Sequence, residues 1–223
     1  MENLRYKSVF DIIGPVMIGP SSSHTAGAAR IGKILHAILG GSPDHLEVHL
    51  FESFAKTYKG HGTDVAIVAG VLGMDSCDSN LKNAFSLAKE KGMDFKFIPH
   101  LHERCDHPNT VKLVARKGDY HLSVTGCSIG GGMIQVTEFD GFDISLTAGN
   151  PTLIIVHRDT LGIIAKVTTI LSSYNINVAK MHVTREAKGK RAIMVLEVDC
   201  DKAQTTFSEL EKLPELYSIN FFE

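Results

Sequence analysis

The chain has 223 residues, of which 43% are hydrophobic and 22% are charged, and its formal net charge is −2. This balance is typical of a globular protein with enough apolar material for one large domain or two small ones. It excludes a nucleic-acid-binding protein that depends on a strongly basic surface. The longest apolar runs, such as 66–72, are too short to span a bilayer.

The cysteines and the N-terminal residues indicate the cellular compartment. The first eleven residues carry four charged side chains and lack the apolar core of a signal sequence. Cys77, Cys105, Cys127 and Cys200 show neither the short spacings of zinc or iron–sulphur ligands nor a disulfide framework. We therefore expect a cytoplasmic protein with reduced thiols, and neither nucleic acid nor a membrane as its partner.

A run of three serines followed by His24 is the first candidate site. A short helix is predicted over 8–13, and a longer helix over 23–39 begins within the serine run. Serine and threonine hydroxyls accept the unpaired amides of a first helical turn, and the positive end of the helix dipole attracts anions. Residues 21–25 therefore predict a site for a carboxylate or phosphate, with His24 able to exchange a proton near neutral pH. An ordinary capped helix is the alternative.

A second histidine precedes a second predicted helix. Residues 46–52 alternate between apolar and polar side chains, which predicts a strand with one buried face. The segment that follows places His61 between two glycines, whose backbone can approach a ligand closely. Thr63 or Asp64 can cap the helix predicted over 65–72. A turn with a solvated histidine is the alternative, but two segments built alike suggest that both histidines face one pocket.

A histidine-rich segment at 99–109 allows two interpretations. His100 and His102 on a strand would point to the same side, and with Cys105 and His107 they could form a metal site. A polar loop bounded by prolines is the other interpretation.

The elements predicted around this segment are a helix over 80–91, a strand over 94–98, a hairpin of 110–115 and 120–125, a glycine-rich bulge or close backbone passage at 126–132, and strands over 136–142 and 142–146.

The segment 147–151 is short, consists mainly of small residues and ends in a proline, which predicts a domain boundary. We therefore expect an N-terminal domain over 1–147 and a second domain over 148–223, which makes the chain an α/β (α+β) protein. The second domain reads βαββαβ, the ferredoxin-like arrangement. Its elements are predicted over 153–157, 163–174, 178–185, 192–198, 203–212 and 217–222.

Two segments of the second domain, 157–162 and 175–179, give it a resemblance to a known family. Residues 152–223 resemble an ACT domain, the small amino-acid-sensing module of biosynthetic enzymes. The resemblance implies a homodimer with effector amino acids at its interface. The effector-binding residues that it implies are Asp159, Leu161, Gly162 and Asn177.

Five motifs stand in the first 147 residues, at 8–11, 14–15, 19–25, 60–64 and 128–132. Together they resemble the beta subunit of the iron–sulphur-dependent L-serine dehydratase, an L-serine ammonia-lyase. The implied fold of this part is a mixed α/β domain of the allosteric-substrate-binding type, which some phosphoglycerate dehydrogenases also contain. The implied reaction converts L-serine to pyruvate and ammonia.

The same resemblance implies the cofactor, the partner and the site. These enzymes use a [4Fe–4S] cluster, and because the cysteines here lack ligand spacing, we expect the cluster on a separate alpha subunit. This chain would supply one wall of the active site, with His24 and His61 transferring protons or holding L-serine. The substrate-binding candidates are Ser21, Ser22, Ser23, Thr25, Gly60, Thr63 and Asp64.

Two other hypotheses remain open from the sequence. The chain could be a non-catalytic regulatory module that binds serine and dimerises through its ACT domain. It could instead be a metal-binding protein that uses the histidine-rich segment, in which case the isolated chain would retain a metal ion.

Overall fold

Residues 16–147, 149–200 and 202–222 are described in the computed structural model, so the predicted helix 8–13 and the motifs at 8–11 and 14–15 lie outside the described residues. The chain divides into two compact units between Asp140 and Gly141. None of the helices in the described ranges is long and apolar enough to cross a membrane.

The first sheet is mixed and has six strands in the order β2-β1-β3-β4-β5-β6. Strand β1 is parallel to β2 and antiparallel to β3, and β4 is antiparallel to both β3 and β5. The elements of the first unit are a π-helical turn Ser22–Ala26, α1 Gly27–Leu39, β1 His45–Phe51, α2 Glu52–Thr57, α3 Thr63–Val71, a 3₁₀ turn Leu81–Asn83, α4 Ala84–Glu90, β2 Asp94–His100, β3 Thr110–Lys117, β4 Tyr120–Gly130 and β5 Met133–Phe139. Strand β6, Phe142–Thr147, falls within the second unit.

The hydrophobic pattern determines how these elements pack. In β1 the alternation places Leu46, Val48 and Leu50 in the core, which confirms the predicted half-buried strand. Helix α3 is apolar on all sides and buried along almost its whole length, because it packs against both α1 and α4. Helix α1 also packs on β4 and β5. The fold thus holds α1 between the sheet and α3.

Two glycines allow α1 and α3 to approach each other closely. A Cβ atom added at Gly32 would lie 2.5 Å from the carbonyl oxygen of Ile67, and one added at Gly70 would lie 2.0 Å from that of Ala29. Real Cβ atoms do not come so near to backbone oxygens, so neither position accepts a side chain without separating the helices. The N-terminal half of α1 and the C-terminal half of α3 are therefore in close contact.

The second unit contains a four-stranded antiparallel sheet in the order β10-β7-β9-β8. Its core includes Leu153, Val167 and Leu196, all fully buried. The predicted βαββαβ order is confirmed, with the last predicted helix present as a 3₁₀ turn and one helical turn. The elements are β7 Thr152–Arg158, α5 Ile163–Ser173, β8 Val178–Arg185, β9 Arg191–Val198, a 3₁₀ turn Ala203–Thr206, α6 Phe207–Leu210 and β10 Leu216–Phe222.

Several sequence-based boundaries change in the structure. The helix expected over 80–91 begins as a 3₁₀ turn, and the strand expected to end at residue 98 continues to His100. The bulge expected near the glycine-rich segment is confirmed, since the register between β4 and β5 shifts between Ser128 and Gly130. Helix α2 was not predicted.

The close contact between α1 and α3 predicts the effect of Gly70→Ala. Replacing an interior helical glycine by alanine normally stabilises a helix by about 1 kcal/mol. Here we expect a net loss of about 2 kcal/mol in the free energy of unfolding, because the added methyl group overlaps the Ala29 carbonyl. Urea unfolding of the full chain measures the difference.

The matched control for this experiment is Gly149→Ala. Apart from its chain neighbours, none of the described residues has an atom within 4 Å of a Cβ added at Gly149. The free energy of unfolding of this variant should therefore stay within about 0.5 kcal/mol of wild type. A Gly70→Ala chain as stable as wild type would contradict the close helix contact.

Candidate functional site

The serine run forms a capped π-helical turn that continues into α1. Ser21 has an extended backbone, its hydroxyl accepts the backbone N–H of His24 at 3.2 Å, and its carbonyl accepts that of Thr25 at 2.8 Å. The capping residue expected from the sequence is therefore present. Single π-turns of this kind are frequent at functional sites because they displace one side chain from the regular helical position.

The second candidate segment connects α2 to α3. The backbone N–H of His61 donates to the Thr57 carbonyl at 3.1 Å, and that of Thr63 donates to the Tyr58 carbonyl at 2.9 Å. Gly62 has a φ of 67° in the left-handed region, where a side chain is disfavoured. The turn leaves both Gly60 and His61 exposed just ahead of α3.

The structure brings the two histidines together. The ring centroids of His24 and His61 are 4.9 Å apart, with 36° between the ring planes. His24 also meets the ring of Phe54 edge-on, at 5.2 Å. Burial, with a smaller contribution from the charge of His61, lowers the pKa of His24 below its ordinary value of 6.5. The folded structure therefore favours the neutral form of the His24 imidazole.

Both ring nitrogens of His24 have a partner within the chain. Nδ1 lies 3.5 Å from the Ser21 hydroxyl, and Nε2 lies 3.3 Å from the hydroxyl of Ser53. Among the described residues, the ring nitrogens of His61 have no hydrogen-bond partner. The two histidines therefore differ, since one is held by serines and the other is open to an incoming group.

The structure turns other predicted site residues toward the protein interior. Thr25 is 1% exposed and Thr63 is fully buried, and their hydroxyls have no hydrogen-bond partner in the described part of the chain. A Cβ at Gly19 would lie 2.6 Å from the Thr25 hydroxyl, so this threonine packs beneath the preceding loop. Asp64 accepts the N–H of Val65 at 2.9 Å, and burial raises the pKa of its carboxyl.

Ser22 and Ser23 remain half-buried in the π-turn. The side chains nearest the histidine pair are thus those of Ser21, Ser53 and Phe54. Ser53 was not among the predicted site residues, and its only sequence signal is its position directly after a strand.

In the second unit, the loop predicted to bind effectors is hydrogen-bonded to the hairpin formed by β8 and β9. The Asp159 carboxylate accepts hydrogen bonds from the N–H of Gly189 and from Arg185, both at 2.9 Å, and these bonds lower its pKa. Gly162 has a left-handed φ of 83°, and Leu161 is fully exposed. The fourth predicted residue, Asn177, bonds instead to Asp199 at 2.8 Å.

The histidine-rich segment does not form a metal site. His100 bonds to His49 at 3.0 Å and to Glu103 at 2.6 Å, and its ring stacks on Phe51. Across residues 16–147, 149–200 and 202–222, no group of three histidine, cysteine or acidic side chains could hold a metal ion. The four cysteines are free and range from exposed to buried.

Two family models match the chain. The model described as serine dehydratase beta chain matches residues 8–138. The model described as ACT domain matches residues 152–215.

The relatives agree with these matches. A probable L-serine dehydratase beta chain from Bacillus subtilis (strain 168) is 46% identical over 221 residues, which cover 97% of this chain and 98% of the relative. The L-serine dehydratase beta chain of Peptoniphilus asaccharolyticus is 34% identical over 86% of this chain and 87% of its own length. A D-3-phosphoglycerate dehydrogenase from Synechocystis is 31% identical over 83% of this chain but only 34% of its own length.

The lowered pKa of His24 predicts a pH dependence of stability. Near pH 6.5 the unfolded chain binds more proton at this histidine than the folded chain does, so the free energy of unfolding rises with pH through this range and then levels off. His24→Gln removes this contribution. We expect the stability difference, wild type minus variant, to grow between about pH 5 and about pH 7.

Urea unfolding at stepped pH measures this difference, with the exposed His102→Gln as a control for loss of an imidazole. A difference that falls as the pH rises would contradict a folded state with a neutral, half-buried His24.

Proposed function

The chain belongs to the serine dehydratase beta chain family, and we propose that it is the beta subunit of an enzyme that converts L-serine to pyruvate and ammonia together with an alpha subunit. The observation that carries this proposal is the meeting of His24 and His61, 4.9 Å apart, at the N-terminal ends of two helical segments. Helix ends attract a carboxylate, and histidines transfer protons near neutral pH.

The serine run and the second turn would bind the substrate. The hydroxyls of Ser22 and Ser23 would donate hydrogen bonds to the carboxylate of L-serine, at the positive end of the helical segment. Ser21 caps the turn and supports His24. Gly60 leaves room beside His61. Thr25, Thr63 and Asp64 would shape the turns rather than touch L-serine, since their polar atoms are covered.

His61 would be the residue that transfers the proton, and His24 would lie beside it. His61 is exposed and its ring nitrogens are open among the described residues, whereas both nitrogens of His24 are engaged by serines. A general base needs a nitrogen within hydrogen-bond reach of the proton that it removes. His24 would hold the ring of His61 in place and, because it stays neutral, would avoid charge repulsion when His61 takes up a proton.

The iron–sulphur cluster that the family implies does not fit this chain. A [4Fe–4S] cluster needs several converging thiolates, and the cysteines here are separate, with burial raising the pKa of both Cys105 and Cys127. We therefore propose that the cluster is bound by the alpha subunit.

The second unit would regulate the enzyme in a cytoplasmic complex. The ACT domain model matches residues 152–215. We propose that this unit forms a homodimer and senses an amino acid through the loop that contains Asp159, Leu161 and Gly162. Asn177, which follows α5, is the fourth residue proposed to bind the effector. The exposed Leu161 is the side chain most available to a ligand or a second subunit. The boundary proposed for this domain is residue 148.

A second candidate function is a non-catalytic, serine-binding regulatory module. It is favoured by the likeness to a D-3-phosphoglycerate dehydrogenase, a protein with a different activity. The two candidates differ in whether turnover requires this chain.

The first experiment on the proposed function measures anaerobic pyruvate release from L-serine. We expect turnover only when this chain and the alpha subunit are mixed, because each would supply part of the site. Each chain alone is the control. Full turnover by the alpha subunit alone, with this chain changing only the serine dependence, would support the regulatory module instead.

The histidine pair gives a further prediction. His24→Ala and His61→Ala should each lower kcat in the mixture at least about a hundredfold if the pair carries the proton transfer. The exposed His102→Ala is the matched control and should leave kcat unchanged. A loss of only a few-fold in both variants would remove the two histidines from this role.

A further inference from the structure

A serine that the sequence does not distinguish lies beside His24. Ser53 is the second residue of α2, and its hydroxyl oxygen is 3.3 Å from His24 Nε2. We propose that Ser53 is a positioning residue that fixes the ring orientation and the tautomer of His24 by accepting a hydrogen bond from Nε2–H. Its effect on turnover rests on the proposed function, whereas its effect on the ring does not.

The hydrogen bonds of Ser21 are consistent with this tautomer. The Ser21 hydroxyl accepts the backbone N–H of His24 at 3.2 Å, and its one hydrogen is still available to donate. Nδ1 of the same ring lies within reach of that hydrogen, at 3.5 Å. Donation from Ser21 to Nδ1 leaves the single hydrogen of the neutral ring on Nε2, which faces Ser53.

The surroundings of His24 make this orientation unique. A neutral imidazole has one N–H donor and one lone pair, and here each has a serine partner. Phe54 is packed edge-on against the ring at 5.2 Å and His61 lies at 4.9 Å. Turning the ring over would place ring carbons where Nδ1 and Nε2 now face the two serine hydroxyls, so both hydrogen bonds would be lost and the observed orientation is selected.

The backbone of Ser53 is held on both sides. Its N–H donates to the carbonyl of Pro108 at 2.9 Å, and its carbonyl accepts the hydroxyl of Thr57 at 2.7 Å. The preceding Glu52 has a φ of 44°, and its carboxylate accepts the N–H of Cys105 at 3.1 Å. A non-glycine residue in the left-handed region is strained, and such strain clusters at functional sites. The strained turn aims the Ser53 hydroxyl at His24.

The first test observes the imidazole directly. The full chain, labelled with ¹⁵N-histidine, gives ring nitrogen shifts that distinguish the two tautomers, and the His24 signals are those lost in His24→Gln. We expect Nε2–H in wild type and in Ser53→Thr, and a shift toward an average of the two tautomers in Ser53→Ala. An Nδ1–H tautomer in wild type, or unchanged His24 shifts in Ser53→Ala, would overturn the proposal.

The second test uses turnover in the mixture with the alpha subunit. Ser53→Ala should lower kcat about tenfold, because a poorly oriented histidine pair loses alignment with the substrate. KM should stay within about twofold, since Ser53 does not touch L-serine, and Ser53→Thr should restore most of kcat. An unchanged kcat in Ser53→Ala would also overturn the proposal.

The matched control for both tests is Ser86→Ala, an exposed serine of α4 in the same unit. It should leave the ring shifts and kcat unchanged. If wild-type chain and alpha subunit gave no pyruvate, the proposed function would fail, while the ring nitrogen shifts would still decide the role of Ser53.

Discussion

The partial burial of one imidazole is the interaction on which the candidate site depends. His24 is enclosed by Phe54, His61 and two serine hydroxyls, and burial is the larger cause of its lowered pKa. A neutral ring can stand beside a second histidine without charge repulsion. The burial of His24 therefore limits charge repulsion between the two rings, which the proposed proton transfer by His61 requires.

Three separate parts of the fold converge on this ring. The π-turn supplies Ser21, the turn after β1 supplies Ser53 and Phe54, and the loop before α3 supplies His61. The carboxyl end of a central strand is a common place for such convergence in sheets covered by helices. Tertiary structure thus brings the two histidines together, although the local sequence predicts each of them as a candidate site residue.

Much of the fold was predictable because its elements have clear periodicity. Strands β3, β4 and β8 begin or end at the expected residues, and α1 follows the spacing of Ile31, Ile34 and Leu35. Helix α2 was missed because it has only six residues and starts from Glu52 with a positive φ, a conformation that propensity does not favour.

The candidate site was predicted in part. The sequence identifies His24 and His61 as chemically notable, but their contact depends on the packing of α1 on α3. Thr25 and Thr63 lie next to these histidines in sequence and yet point inward, because residues one or two apart at a helix start face different directions. The position of Ser53 directly after a strand does not identify its partner, which is 29 residues away.

The glycine contact between α1 and α3 also has a mechanical consequence. Gly32 lies eight residues after His24 in a continuous helical segment, so His24 is about 12 Å from the point of closest approach. His61 lies in the turn ahead of α3, nine residues before Gly70. The contact acts as a common pivot. A relative tilt of about 5° at the pivot would change the separation of the imidazoles by about 1 Å. The spacing of the pair is therefore sensitive to substitutions two helical turns away, at positions that touch neither ring.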